Sequence, residues 1–288
     1  MIGFELAQPS SLREAIALLD TDDASVRAFS GGTALMLMMK SGAFAPSRLV
    51  CLAGIEPSHA AIAATPEGGL RIGALATLAS IEHSAAVISA APVVARAMKR
   101  LANVRVRNAA RIGGSLAHGD PHMDLPPVLA ALGAEVAVEG PRGPRRIAVE
   151  SLYAGYYETV LRRGELIAAV ALPPQRGWSS VYLKCTARSA DDWPSLGVAV
   201  SLKLDGRQVA ESRVMVSAAT EKLTRLRGAE AALAGAPADV AAFTRAAEAA
   251  AAEAQTIDDS RGSAAYKTAL LRVYLRRALQ QAHGGVER

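Results

Sequence analysis

The chain has 288 residues, 51% of them apolar, a formal net charge of +5 and two cysteines. That length can bury a sizeable core and predicts roughly two or three domains. The small, dispersed charge, with no nucleic-acid motif beside it, gives no support to RNA or DNA binding. Cys51 and Cys185, far apart in sequence, argue against a disulfide framework, a structural zinc or a cluster held by about four thiolates. No segment carries the roughly eighteen uncharged apolar residues of a membrane span. Met1 to Leu6 lack the basic start and apolar stretch of a signal peptide, so a cytoplasmic protein is expected.

Phe4-Glu5-Leu6 reads as a short strand, and Ser11-x-x-Glu14 as a capping box opening a helix through Leu19. Arg27-Ala28-Phe29 reads as a strand running into a first glycine pair, Ser30-Gly31-Gly32-Thr33-Ala34. Thr33 to Lys40 is helix-capable, and Leu49 to Leu52 closes a small α/β unit near residue 53. Strand, glycine pair and helix invite a Rossmann reading, but no Gly-x-Gly-x-x-Gly stands there and no βαβ repeat is expected. Gly68 to Ala74 reads as a hairpin turn and strand, and Ala91 to Ala102 as a helix. A second glycine pair follows a stretch read as extended, in Arg111-Ile112-Gly113-Gly114-Ser115-Leu116-Ala117-His118.

Leu125 to Leu132 reads as a short helix, Glu135 to Glu139 as a half-buried strand, and Leu166 to Leu172 as a strand ended by Pro173-Pro174. That double proline is the best linker in the chain. Val181–Lys184, Gly197–Leu204 and Arg213–Ser217 read as an antiparallel sheet. Three helices follow, near 225–234, 238–254 and 263–282; alanine is their main helix former. Strands followed by helices are an α+β order. The expected domains are 1–54, 55–175 and 176–288.

Without Cβ atoms, backbone N–H groups can come close to an anion, so two glycine pairs suit the two ends of a pyrophosphate; the alternative is a pair of ordinary tight turns. The second pair lies in a longer, more specific string, Val106 to Ser115, followed by Asp120-Pro121, Asp124 and Pro126-Pro127. Lys99, Arg100, Arg105, Arg107 and Arg111 form a basic cluster just before it, either a solvated helix end or a contact with cofactor or partner. His118 and His122 have a metal-ligand spacing, but Gly119-Asp120-Pro121 breaks any helix aligning them and no third ligand suggests itself. No nucleophile elbow or Cys–His signature is present, so no catalytic side chain is assigned.

On Ser30–Leu35 and Val106–Pro126 the chain resembles the FAD-binding medium subunits of the molybdenum hydroxylases, the family of aerobic carbon monoxide dehydrogenase and xanthine dehydrogenase. The similarity continues through Gly155-Tyr156-Tyr157, Gly164 to Ile167, Lys184 with Arg188 and Asp192, Arg261 to Tyr266, and Arg277-Ala278-Leu279, in the family's order. The resemblance implies an α+β protein with a two-part α/β FAD-binding region of the vanillyl-alcohol-oxidase-like (PCMH) kind and a C-terminal domain of antiparallel sheet and helices.

It further implies that Ser30, Gly31, Gly32, Thr33 and Ala34, with Arg111, Ile112, Gly113, Gly114 and Ser115, wrap the FAD pyrophosphate, Thr33 and Ser115 adding hydroxyls. Asp124 would lie near the ribityl and ribose hydroxyls, its alternative being a helix N-cap or a first-turn acid before Leu125. Ile167 and Lys184 would lie near the flavin ring, the alternative for Lys184 being a solvated edge-strand lysine. Position 111, threonine in the family, is arginine here, free to pair with a phosphate or to point away. The implied partners are a large molybdopterin-binding subunit and a small [2Fe–2S] subunit, assembled as a dimer of heterotrimers. Electrons would run from the clusters through FAD to an external acceptor. A self-sufficient flavin oxidoreductase and a flavin-free scaffold are the rival readings.

Overall fold

The structure, a computed structural model, describes residues 3–284. Met1, Ile2 and residues 285–288, the ends of the expected first and third domains, lie outside the described residues.

The first unit runs β1 (Glu5–Ala7), α1 (Leu12–Leu19), β2 (Val26–Phe29), α2 (Leu35–Ser41) and β3 (Arg48–Cys51). Ser11 caps α1 by accepting from Glu14 N, while the Glu14 carboxylate reaches back to Ser10 N at 2.8 Å, one residue ahead of the cap. The three strands order β1-β3-β2 and all pair parallel. This corrects the expectation that βαβ repeats are missing: both crossovers are helical, as parallel pairing requires. Strands of three and four residues are too short to announce their pairing in sequence.

The second unit comprises β4 (Ile62–Ala64), β5 (Leu70–Gly73), α3 (Leu78–His83), α4 (Ala85–Ala90), α5 (Pro92–Met98), α6 (Val104–Ala109), α7 (Ile112–Ala117), α8 (Leu125–Ala131), β6 (Glu135–Glu139), β7 (Arg145–Ala148), β8 (Tyr153–Gly155), β9 (Glu158–Thr159) and β10 (Leu166–Leu172). Its main sheet orders β4-β5-β10-β6-β7 and is antiparallel throughout. Residues ahead of the second glycine pair are helical rather than extended: Asn103 accepts from Val106 N and starts α6, leaving only Ala110 and Arg111 extended. Gly113 and Gly114 therefore open a helix instead of sitting in a loop.

The third unit places β11 (Trp178–Cys185), β12 (Leu196–Asp205), β13 (Gln208–Ser217) and β14 (Thr224–Arg225) in one antiparallel sheet, covered by α9 (Arg227–Leu233), α10 (Val240–Glu253) and α11 (Ala264–Gly284). At the double proline, Gln175 Nε2 donates to Pro173 O and to Leu132 O, tying the joint to the turn after α8.

Each unit has its own apolar cluster, but two of the clusters take in residues of a neighbouring unit. Leu166 and Ala168 of β10 belong to the first unit's core, and Ala199, Met215 and Leu223 of the third unit to the second's. Every residue of α8 is buried, as expected of a helix apolar on all sides. Both its ends are held by the third unit. Asp124 precedes it and meets Tyr182 and Lys184 of β11, while Arg213 of β13 donates to Ala131 O at 3.4 Å beside Gly133 and stacks over Trp178 at 4.3 Å. Acid at the N-terminus and cation at the C-terminus both match the helix dipole.

Candidate functional site

The two glycine segments meet. A Cβ on Gly31 would lie 2.1 Å from Ala109 O and 2.9 Å from Ala110 Cα, so only glycine lets the first loop lie on the backbone leading to α7. Gly32 takes the left-handed conformation with φ +66° and turns the chain into α2. On α7, Gly113 faces Ala74, whose Cβ would be 2.7 Å from a Cβ added there. Gly114 is exposed and faces Ser30, with Ser30 Oγ 3.4 Å from the place of its missing Cβ.

Hydrogen bonding divides the donors. Ile112 N and Gly113 N are spent on Ala76 O and Ala74 O, at 3.1 and 2.9 Å. Among the described residues, the main-chain N–H groups of Ser30, Gly31, Gly32, Thr33 and Ala34 have no hydrogen-bond partner, and neither has that of Gly114. Consecutive donors around a left-handed glycine, at the start of one helix and facing the first turn of another, form a concavity for an anion. The residues fit a pyrophosphate-bearing group: the cradle is lined by donors, and a Cβ at Gly31 would collide with Ala109 O and disrupt it.

The other expected positions divide. Ser115 is buried, its hydroxyl 4.0 Å from Met123 Sδ. Arg111 occupies the N-cap position of α7 and donates from Nη1 to Leu75 O at 3.1 Å. Ile167 is buried in β10, paired with Val138 beside a bulge. Asp124 and Lys184 come together as one buried ion pair, Nζ to Oδ2 at 3.0 Å, with side chains 7% and 1% exposed. Tyr182 Oη donates to the other Asp124 oxygen at 2.5 Å, and Lys184 also donates to Asp192 O. The edge-strand alternative for Lys184 fails because the side chain is out of solvent, while Asp124 does stand at the N-cap position of α8, as an acid at the helix N-terminus without a side-chain cap bond. Burial pushes the Asp124 carboxyl above the usual carboxylate range, against the Lys184 charge and the Tyr182 hydroxyl.

Two features escaped sequence reasoning. Arg107, one of the basic cluster, turns inward to Glu82 at 2.8 Å and to the carbonyls of Leu101 and Ala102. His122 lies between two carboxylates, Nδ1 3.0 Å from Asp120 and Nε2 3.0 Å from Asp259. Asp120-Pro121 was legible as part of a motif and His122 only by its spacing from His118, while Asp259 is 137 residues from His122 in sequence. Among the described residues no group of His, Cys, Asp and Glu is placed to hold a metal, and no helix is long and apolar enough to cross a membrane.

Residues 2–175 match the family described as FAD binding domain in molybdopterin dehydrogenase, and residues 181–282 match the CO dehydrogenase flavoprotein C-terminal domain. The chain is 32% identical to the carbon monoxide dehydrogenase medium chain of Hydrogenophaga pseudoflava, over 97% of this chain and 96% of that one. It is 33% identical to the nicotine 6-hydroxylase medium subunit of Paenarthrobacter nicotinovorans, covering 96% of each. Among solved structures, carbon monoxide dehydrogenase from H. pseudoflava, in a form lacking the Mo-pyranopterin moiety of its cofactor, superposes with a TM-score of 0.94 at 33% identity, covering 99% of both chains. Quinoline 2-oxidoreductase from Pseudomonas putida 86 superposes at 0.91 and 26% identity, again over 99% of both chains.

Proposed function

The chain belongs to the FAD-binding subunits of the molybdopterin dehydrogenases, oxidoreductases with FAD as their flavin, and on that basis we propose that it is the electron-transfer subunit of a multi-subunit molybdenum hydroxylase. Its partners are a large molybdopterin-binding subunit, which oxidises the substrate, and a small subunit carrying [2Fe–2S] clusters. The chain takes electrons from those clusters and delivers them to an external acceptor, in a cytoplasmic dimer of heterotrimers.

The convergence of the two glycine segments on one set of free N–H groups carries this reading. Ser30 to Ala34 and Gly114 hold the pyrophosphate of FAD by main-chain donors, and Thr33 adds a hydroxyl. Gly31 keeps the two segments close enough to share it, and Gly113 lets α7 seat against Ala74. Bound there, FAD supplies the redox chemistry, and the protein supplies orientation and electrostatics. Arg111 stands at the N-cap of α7, Ile112 and Ser115 are buried on it, and Ile167 and the Asp124–Lys184 pair belong to the buried frame that carries the site.

The test is titration with FAD, and with FMN as control, of the chain co-expressed with its two partner subunits, followed by flavin fluorescence. Saturable binding of FAD alone, on a complex that co-purifies in fixed proportion, is the expected result. Equal binding of FMN would refute recognition through the pyrophosphate. A chain that takes no partner and turns over substrate alone would refute the subunit role.

A further inference from the structure

Helix α7 starts in the cradle and ends before His118, and the residues after it are gripped by two other parts of the chain. Tyr157 N donates to Gly119 O at 3.0 Å, and Tyr157 Oη donates to Asp120 Oδ2 at 2.5 Å. Asp120 Oδ1 accepts from His122 N at 2.8 Å and lies 3.0 Å from His122 Nδ1. On its other side, His122 Nε2 is 3.0 Å from Asp259 Oδ2, and that oxygen is 2.7 Å from Lys267 Nζ. Lys267, fully buried on α11, also donates to Ala218 O at 3.1 Å, and Ala218 N donates back to Pro121 O at 2.9 Å. The third unit thus holds the loop after α7 by a side-chain chain through Asp259 and by the main chain of Ala218.

Carboxylates only accept, so both side-chain bonds of His122 form when both ring nitrogens donate. The four groups then carry two negative and two positive charges, and the chain closes without an unpaired buried charge. Burial pushes the Asp120 and Asp259 carboxyls up, and the donors around them outweigh it and hold both below the usual carboxylate range.

A six-residue helix is not stable by itself, and its position is set by whatever holds its ends. The Ile112 and Gly113 N–H groups fix one end of α7 to the second unit's own backbone. We propose that His122, Asp259 and Lys267 are positioning residues for FAD: they anchor the other end of α7 to α11 and so set where Gly113 and Gly114 stand in the cradle. The proposal rests on the cradle reading above.

The test uses the assembled enzyme stripped of FAD, at a temperature where circular dichroism shows every variant folded. Lys267→Met, which touches no cradle residue, is expected to raise the FAD Kd about tenfold. His122→Phe, which keeps a planar ring and leaves each carboxylate another donor, is expected to do the same. The double variant should be no weaker than either single one, because both break the same chain. Should Lys267→Met fail to fold, Asp259→Asn takes its place in the cycle. A Kd within about twofold of wild type for the α11-side variant overturns the proposal, and so do additive effects. A lower thermal midpoint with unchanged Kd assigns these residues to stability alone and overturns it too. Gly114→Asp, run alongside, separates the premises: if it abolishes FAD binding while the others do not, only the positioning role falls, and if it too is without effect, the cradle reading falls with it.

Discussion

Replacing Gly31 by alanine tests the cradle where it is tightest. The new methyl would stand 2.1 Å from Ala109 O, 2.8 Å from Ala109 C and 2.9 Å from Ala110 Cα, all backbone atoms that no rotamer can move. Reaching even 3.0 Å requires the first loop and the approach to α7 to part by about 0.9 Å. A main-chain donor set for an anion at about 2.9 Å is then stretched to nearly 4 Å, where the hydrogen bond is lost. Bonds to charged groups contribute roughly 1.5–3 kcal/mol each, so losing two weakens FAD binding by about 3–6 kcal/mol, at least a hundredfold. Gly114→Ala is the control: its methyl would meet only Ser30 Oγ, at 3.4 Å, and binding should fall by no more than about threefold. Flavin content after purification and a fluorescence titration of the stripped protein measure both, with thermal unfolding of the FAD-free forms as the check on folding. A Gly31→Ala protein that binds FAD within about threefold of wild type would refute the two-segment cradle.

Lys184→Met should destabilise the fold by about 3–5 kcal/mol in urea unfolding, because it strands the buried Asp124 carboxyl, and the Asp124→Asn/Lys184→Met double variant should cost less than the single one. A double-variant cost equal to the sum of the two single-variant costs would show that the pair is not coupled. Arg111→Thr, which restores the family's residue, should leave the FAD Kd within about threefold, since the guanidinium is engaged with Leu75 O; a large loss would place a phosphate on Arg111. Asp120 and Asp259 have folded pKa values below their unfolded ones, so their contribution to stability is complete above the unfolded carboxylate value near 4 and is lost as pH falls through the lower folded values. Asp124 is raised and acts in the opposite sense, its burdened charge being relieved as pH falls. Urea midpoints measured down the acid side should therefore drop less steeply for Asp120→Asn than for wild type, and parallel curves would contradict the assignment.

Local signals were legible in the sequence because their causes are local. Ser11 and Glu14 marked the start of α1, and the alternation of Glu135 to Glu139 marked β6. The motif strings around both glycine pairs pointed to FAD. What stayed hidden depended on distance or on rotation about a helix axis. Gly113 and Gly114 are neighbours with different duties, one packed on Ala74 and one facing Ser30, and only α7 decides which is which. A carboxylate substitution at Gly114 therefore acts by its charge in the cradle, since a Cβ there would meet only Ser30 Oγ, at 3.4 Å. Asp124 and Lys184 each offered two sequence readings, and the structure gives each the other as partner, 60 residues away. The parallel pairing of β1, β2 and β3 was missed because strands of three and four residues carry too little pattern to declare their neighbours.

Helix α8 belongs by sequence to the second unit, yet its two ends are bolted to β11 and β13. Swinging the third unit about Pro173-Pro174 would pull Lys184 from Asp124 and Arg213 from Ala131 O while wetting a helix whose every residue is dry. The covalent joint is therefore not a mechanical one. The second and third units move as a single block, and a fragment ending at residue 175 would keep a helix without the wall that shelters it.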